Sequence, residues 1–470
     1  MSFYDTPLAD IDTAMAEDPG WALPHTMKAG FLLSLTEPAL VPEAAAHLSQ
    51  ARALCRHAPA AERAHIEALQ QVLEGRWGGA CRIWDELLVS HPRDALALQW
   101  AQLWDFYRGD TAALRLRPAR ALPDWDEADP LHPLVLGLLA FGLEENNLYP
   151  QAEEAGRRAL AADPRGPWAV HAVAHVMEMQ GRFEDGSAWL RQTQPDWAEG
   201  NGLATHLWWH KGLFRLEALD TAGALRLADA HLAGDALQIG LQRVDAAALL
   251  WRLQLLGEDV GERFAALAAG WDLTRDDAEA MAPHAERMAK GGGERSGEGS
   301  GERSAELARK LAGEFAGYYA FNDVHAVIAL LGAGEVQRAE RHVARCAARA
   351  LAATEARRCN HLMAREVGLP LMRGLLMLAR GQAAAAAVAL YPVRALAQRL
   401  GGSHAQRDLI DQTLLAAAAR ASRGDSIGGD TVQARAIGRA LLNERIMAKP
   451  VTPLTRHWMD AVGERVEARA

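Results

Sequence analysis

Cysteine is scarce and scattered in this sequence. Cys55, Cys81, Cys346 and Cys359 stand far apart with no C-x-x-C among them, and they read as reduced thiols of a cytoplasmic protein. No run of about 18 apolar residues occurs, which argues against a membrane span. The opening MSFYDTPLADIDTAMAEDPGW carries acids where an export signal would carry a basic patch and an apolar core. Concentrated basic charge is missing too. The formal net charge is −10, with Lys and Arg diluted along acidic helices, so neither nucleic acid nor a membrane surface is an expected partner. There is no Gly-rich nucleotide loop, no G-x-S-x-G elbow and no catalytic cysteine setting, which leaves NTP hydrolysis and serine or thiol catalysis unsupported.

Val, Ile and Thr are sparse, while Ala, Leu, Arg, Glu and Gln dominate. That mix favours helix, because Ala loses no side-chain entropy and straight side chains lose little. Long Ala-rich chains invite a test for repeats of about 34 residues, each a pair of antiparallel helices with a small residue at the close crossing and a Pro ending the second helix. Aligning Gly75, Trp77 and Ala80 on the turn and second helix puts Ala68 at the close crossing and Pro92 at the stop. Asn147, Tyr149 and Ala152 likewise place Ala140 and Pro164. A degenerate unit is centred on Tyr107, Gly109 and Asp110, and another uses Gly181 and Phe183 with Ala174. Gly334 with Ala339 and Gly381 with Ala386 continue the rhythm, Thr205 to Ala230 resembles a further hairpin with Gly212 at its crossing, and single helices fit Leu237–Leu256 and Gln406–Ser422.

The expected fold is therefore an all-α tetratricopeptide-repeat α-solenoid, a right-handed superhelix of helical hairpins. GGGERSGEGSGERS has nothing apolar to bury and reads as a flexible loop. It divides an N-terminal array, residues 1–290, from a C-terminal array, 305–470, with the loop at 291–304. A second polar stretch, SRGDSIGGD, is expected just before the last helix.

PWAVHAVAHVMEMQGRFEDG is the most informative segment. His171, His175 and Glu178 follow spacings of four and three, which puts them on one helix face with neighbouring Cβ atoms roughly 5–6 Å apart. That face belongs to the helix that lines the concave groove, with Val170, Val173, Ala174 and Met177 on the packed side. THLWWHKGLF adds His206 and His210 one turn apart, and stacked hairpins could bring the two pairs together across about 10 Å. H-x-x-x-H presents two imidazoles to one ion, so the four histidines are candidate ligands for a divalent metal such as Zn, with Glu178 as a ligand or general base. Contact with a metal-free ligand and plain packing stay open beside this, with Trp208 and Trp209 filling the groove.

Further along, FNDVHAV offers Asn322, Asp323 and His325, with Asp323 equally readable as a helix cap. GGSHAQRD offers His404, Gln406, Arg407 and Asp408 after a glycine pair. Ser403 caps that helix on the simpler reading, and its amides with Arg407 would hold an anion on the other. Arg365 pairs with Glu366 or holds a carboxylate ligand.

With these residues in view, the chain resembles the tetratricopeptide repeat protein 38 family, from DPGWALPH to LLNERIMAKPVTPLT. FGLEENNLYPQAEEAGRRAL, WAVHAVAHVMEMQGRFEDG, HLMAREVGLPL and GGSHAQRDLIDQ carry the resemblance most specifically. It implies a soluble helical protein whose pattern includes His171, His175, Glu178, His206, His210, Asn322, Asp323, His325 and the run from His404 to Asp408. The glycine-rich insert departs from the family's usual length. The resemblance brings no established activity with it.

Two functions are weighed. One is a binding protein that cradles a small molecule, peptide or partner protein in a concave, His-rich inner pocket. The other is a metal-dependent hydrolase of a small amide or ester, in which the two arrays curl until His171, His175, His206, His210 and Asp323 are buried together, Glu178 activates water, and Arg407 or Arg365 orients a carboxylate.

Overall fold

The computed structural model describes residues 7–271, 316–423 and 429–463, and every regular element among them is helical. The loop expected at 291–304 lies outside the described residues. The first helices are α1 (Pro7–Glu17), α2 (Ala22–Ser34), α3 (Val41–Leu54), α4 (Ala60–Leu73), α5 (Trp77–Ser90), α6 (Ala95–Arg108), α7 (Thr111–Ala121) and α8 (His132–Glu144). Then come α9 (Tyr149–Ala162), α10 (Pro167–Met179), α11 (Phe183–Gln192), α12 (Gln194–Trp197), α13 (Ala204–Glu217), α14 (Thr221–His231), α15 (Gly240–Leu255) and α16 (Arg263–Ala269). After the undescribed segment follow α17 (Ala320–Gly332), α18 (Val336–Ala350), α19 (Cys359–Met363), α20 (Leu369–Ala379), α21 (Ala383–Arg394), α22 (His404–Arg423), α23 (Gly429–Ala448) and α24 (Pro453–Val462). Two helices, rather than one, follow the polar stretch at Ser422–Asp430, because Pro450 and the Thr452 cap break the run after Ala448. No helix among the described residues is long and apolar enough to cross a membrane.

Consecutive helices pair as hairpins, and neighbouring hairpins pack on one another from α4 to α15. Among the described residues, hairpin turns contain a residue with left-handed φ: Thr36, Gly75, Gly109, Asn147, Gly181, Leu219, Gly257, Gly334 and Gly381. The small residues predicted at the close crossings, Ala68, Ala140 and Ala174, are fully buried. At Gly212 an added Cβ would stand 2.9 Å from the Leu249 side chain, so α13 lies against α15 closely enough to need the missing methyl.

Leu219 makes a test. Its φ of 58° puts a γ-branched side chain where the other turns, Thr36 apart, use Gly or Asn, at a cost of about 1–2 kcal/mol. Leu219 is 38% exposed, so little packing is lost on replacement. Leu219→Gly is expected to raise stability by about 0.5–1 kcal/mol, read as a higher denaturant midpoint. An unchanged or lower midpoint would show that the leucine's contacts outweigh the backbone strain.

The division set at residue 290 does not divide the core. One apolar cluster runs from Ala22 to Val462, and inner helices of the two halves meet directly, α15 on α17 and α22, and α10 on α22. Trp251 donates to the Thr413 hydroxyl at 3.0 Å, Arg252 to the Ala405 carbonyl at 2.8 Å, and the Tyr319 hydroxyl to the Tyr107 carbonyl at 3.2 Å. Inner faces from both halves therefore enclose a common interior.

Candidate metal centre

The first helices of successive hairpins, α8, α10, α13 and α15, supply the site, with α22 closing it from the second half. On α10, Val170, Val173, Ala174 and Met177 anchor one face in a core cluster with Leu190, Trp197, Leu207 and Phe214. This leaves His171, His175 and Glu178 on the other face, where α13 brings His206 and His210. The four rings meet far more closely than hairpin stacking alone suggests. Nε2 of His171 lies 2.9 Å from Nε2 of His175 and 3.0 Å from Nε2 of His206, and Nε2 of His206 lies 3.2 Å from Nε2 of His210. Ligand atoms of all four fall within 4.8 Å of one another. Nitrogens about 2.0–2.1 Å from a common ion stand about 2.9–3.4 Å apart at adjacent corners of an octahedron or a tetrahedron.

The other ring nitrogens decide what this convergence means. Nδ1 of His206 meets Asp245 Oδ2 at 2.7 Å, Nδ1 of His210 meets Glu178 Oε2 at 2.9 Å, and Nδ1 of His175 lies 3.4 Å from Glu144 Oε2. An ionised carboxylate only accepts, so a proton on His206 Nδ1 toward Asp245 leaves its Nε2 a bare lone pair, and His210 is placed the same way once Glu178 is ionised. His175 Nδ1, in contrast, makes only a contact with Glu144, and His171 Nδ1 has no partner. Nε2 lone pairs aimed at each other at about 3 Å repel unless a proton or a metal cation stands among them. Backing a ligating imidazole with a carboxylate is also what fixes the ring and raises its basicity in metal sites. Phe141 packs edge-on against His175, and Trp209 stacks on His206, holding both rings laterally.

Electrostatics point the same way. Burial, helped by His175 and His206, holds His171 well below the usual imidazole range, and burial with its three neighbours does the same to His210. Both are therefore neutral donors at physiological pH. Burial opposes ionisation of Glu144, but His175 and His404 outweigh it and hold the carboxyl at about 2. Burial pushes Glu178 up to about 8 despite Lys449 and Arg252, a shift that a dication behind His210 would counter.

One side of the cluster is open. A chamber of about 390 Å³ is lined by His171 and His206 together with Asp245 and Gln406, whereas His175 and His210 are wholly buried behind them. Access to the four nitrogens is therefore between His171 and His206. The exposed Gly202 and the half-buried Leu203 and Thr205 stand at the chamber's edge.

The remaining predicted residues fall in other places. Glu178, expected as a ligand or a water-activating base, bonds His210 Nδ1 and does not line the chamber. Asp323 is not with the histidines: it accepts from the Gly317 amide at 3.1 Å and meets His342 at 3.2 Å, in a separate buried group with Cys346. Asn322 ties its amide to Thr36 Oγ1 at 3.1 Å, and His325 donates Nδ1 to the Phe321 carbonyl one turn back at 2.8 Å. Arg365 is a surface residue paired with Glu366 at 3.2 Å and reaches no ligand space. At the α22 N-terminus Ser403 does cap the helix, but the anion there is the chain's own Glu145, which takes the His404 amide at 2.7 Å and the Arg407 guanidinium at 2.9 Å. Asp408 pairs with Arg445 at 2.7 Å, away from the cluster.

Three residues with clear roles were not singled out in the sequence: Glu144, Glu145 and Asp245. Glu144 precedes its turn residue Asn147 by three, as Glu178 precedes Gly181, and that shared register was a readable signal. Asp245 sits alone among the apolar residues of VDAAALLW, a charge that only a buried partner would justify. Compared with known protein families, the sequence matches no family model.

Proposed function

We propose that this chain is a cytoplasmic tetratricopeptide-type solenoid of the tetratricopeptide repeat protein 38 kind. Its inner helices hold a first-row transition-metal ion on His171, His175, His206 and His210 and present that ion to a small molecule in the adjoining chamber. The observation that carries this is the convergence of imidazole Nε2 atoms from all four histidines, with His206 and His210 held through Nδ1 by Asp245 and Glu178. Imidazole donors suit Zn, Cu, Fe and Ni. A tetrahedral ion would be closed by four protein ligands, so turnover calls for an ion with further positions, which would supply Lewis acidity and a water of lowered pKa for hydrolysis of a small ester or amide. The chain's own part is to hold the four imidazoles in place, offset the ion's charge with Glu144, Glu178 and Asp245, and restrict access to the His171–His206 side. A peptide or protein in the groove is the less favoured occupant, since inner helices of both halves meet and leave a chamber of about 390 Å³.

Metal content of the purified protein, measured by mass spectrometry, is expected to approach one ion per chain. Glu144→Gln, Glu178→Gln and Asp245→Asn keep every ligand but weaken the hold on its ring, and each is expected to lower metal affinity about 10–100-fold in a chelator competition. Wild-type protein that takes up no ion after incubation with Zn, Fe, Mn, Ni or Cu salts would refute the metal centre.

A further inference from the structure

The chamber walls narrow the choice of molecule. Phe31, Phe106, Phe141, Trp168, Tyr319 and Phe321 contribute aromatic surface, and neither Lys nor Arg lines the space. Without the ion, an anion entering it would leave water with no side-chain cation to meet it, which is strongly unfavourable. The one acidic residue on the wall, Asp245, has both oxygens engaged, Oδ2 by His206 and Oδ1 by Gln406 at 3.4 Å, so a cationic ligand finds no free carboxylate either.

Most polar groups on the wall are also spoken for. The Tyr107 hydroxyl donates to the Ser34 carbonyl at 2.7 Å, the Tyr319 hydroxyl to Tyr107, and the Gln242 side-chain oxygen accepts from the Ile239 amide at 3.1 Å. Gln406 receives the Ser403 amide at 3.0 Å. Two glutamines on α6 differ. Gln102 donates its amide to the Leu138 carbonyl at 3.0 Å, which fixes its oxygen as an acceptor, yet that buried oxygen meets no donor in the chain. The side-chain oxygen of Gln99, 4% exposed and one turn earlier, is equally without a partner, as is the Trp168 indole N–H. Buried polar atoms are rarely left so, and these three, with the equally unpartnered His171 Nδ1, mark where a ligand's polar group belongs.

Taking the chamber as the substrate space of the metal centre, we propose that it receives an uncharged, ring-bearing molecule whose hydroxyl or N–H group is held by Gln99 and Gln102. Phenols, aryl alcohols and neutral aryl amides have this chemistry. Ring faces lie against the aromatic walls, the donor satisfies the glutamine oxygens, and without the ion charged acids of the same size are rejected because no side chain on the wall neutralises them.

Three matched probes test this by calorimetric titration into the full-length protein, metal-loaded and chelator-treated: 2-naphthol, naphthalene and 2-naphthoate. 2-Naphthol is expected to bind at least tenfold more tightly than 2-naphthoate to the chelator-treated protein, where no ion can meet the carboxylate. Gln99→Leu and Gln102→Leu are expected to weaken 2-naphthol about three- to tenfold, the loss of one neutral hydrogen bond. Naphthalene binding, which needs only the walls, should be unchanged and so reports that each variant keeps its chamber. Equal or tighter binding of 2-naphthoate to the chelator-treated protein overturns the proposal, and so does failure of all three probes to bind. Metal content measured on the same samples keeps the two questions apart: an ion in the untreated protein with the wrong probe order after chelation defeats the ligand class alone, and an ion absent with the expected order defeats the metal centre alone.

Discussion

His171→Ala/His175→Ala protein is expected to purify with less than about a tenth of the wild-type metal, and to unfold at the same temperature with and without a strong chelator. The wild type is expected to lose several degrees when the ion is removed. An ion that binds only the folded chain stabilises it by about 4 kcal/mol when its free concentration is 1,000 times the dissociation constant. In a chain of this length that is a shift of several degrees. Deleting His171 and His175 removes half of the ligand set, and it also leaves Glu144 facing an empty space where His175 Nδ1 stood at 3.4 Å. The variant should therefore melt below the holo wild type for two separable reasons, lost metal linkage and lost packing. The chelator distinguishes them, because packing loss is indifferent to it. If the chelator leaves the wild-type melting temperature unmoved while metal content stays near zero, the histidines are a packed polar cluster and no more.

The helical repeat was legible because its determinants are local. A left-handed residue at the turn, an alanine at the close crossing and a proline at the stop lie within one hairpin, and Gly75 with Ala68 or Asn147 with Ala140 needs no knowledge of the rest of the chain. His171, His175 and Glu178 were legible for the same reason, since one helix face puts spacings of four and three together. What a single helix could not disclose was depth. Asp323 and His325 begin a helix much as His206 and His210 do, yet α17 turns Asp323 toward His342 on α18, and only the packing of α17 on its own hairpin partner decides that. The anion site expected at the α22 N-terminus was physically sound and already filled: Glu145, remote in sequence, takes the His404 amide and the Arg407 guanidinium. Asp245 was hidden in an apolar stretch, and its meaning rests on His206 standing 39 residues away in sequence and 2.7 Å away in space.

Arg445→Ala is the second change expected to have a large effect, and it acts on α23, not at the histidine cluster. On α23, Arg445 donates to Glu217 on α13 at 2.6 Å and to Asp408 on α22 at 2.7 Å, with Lys449 also on Glu217 at 2.7 Å and the Thr452 hydroxyl at 2.6 Å. The Arg445 and Glu217 side chains are 8% and 7% exposed. α13 carries His206 and His210, and α22 carries Gln406, so this junction clamps two walls of the site. Truncating the guanidinium leaves carboxylates without their main counter-charge at low exposure, a loss of about 3 kcal/mol. Arg445→Lys keeps the charge but cannot span both carboxylates with a planar fork, and should fall between. The pH dependence identifies the cause. Burial works against ionisation of Asp408 and Glu217, but Arg445 and Lys449 outweigh it and hold both below their ordinary values of 3.8 and 4.5. Depressed carboxylates contribute in full above their unfolded values, here above about pH 5, and that contribution drains away as the pH falls toward the folded values. Wild-type denaturant midpoints should therefore drop steeply from pH 5 to pH 3, and those of Arg445→Ala, already low at pH 7, should drop less. Parallel curves for the two proteins would show that the arginine contributes packing of its stem and not charge.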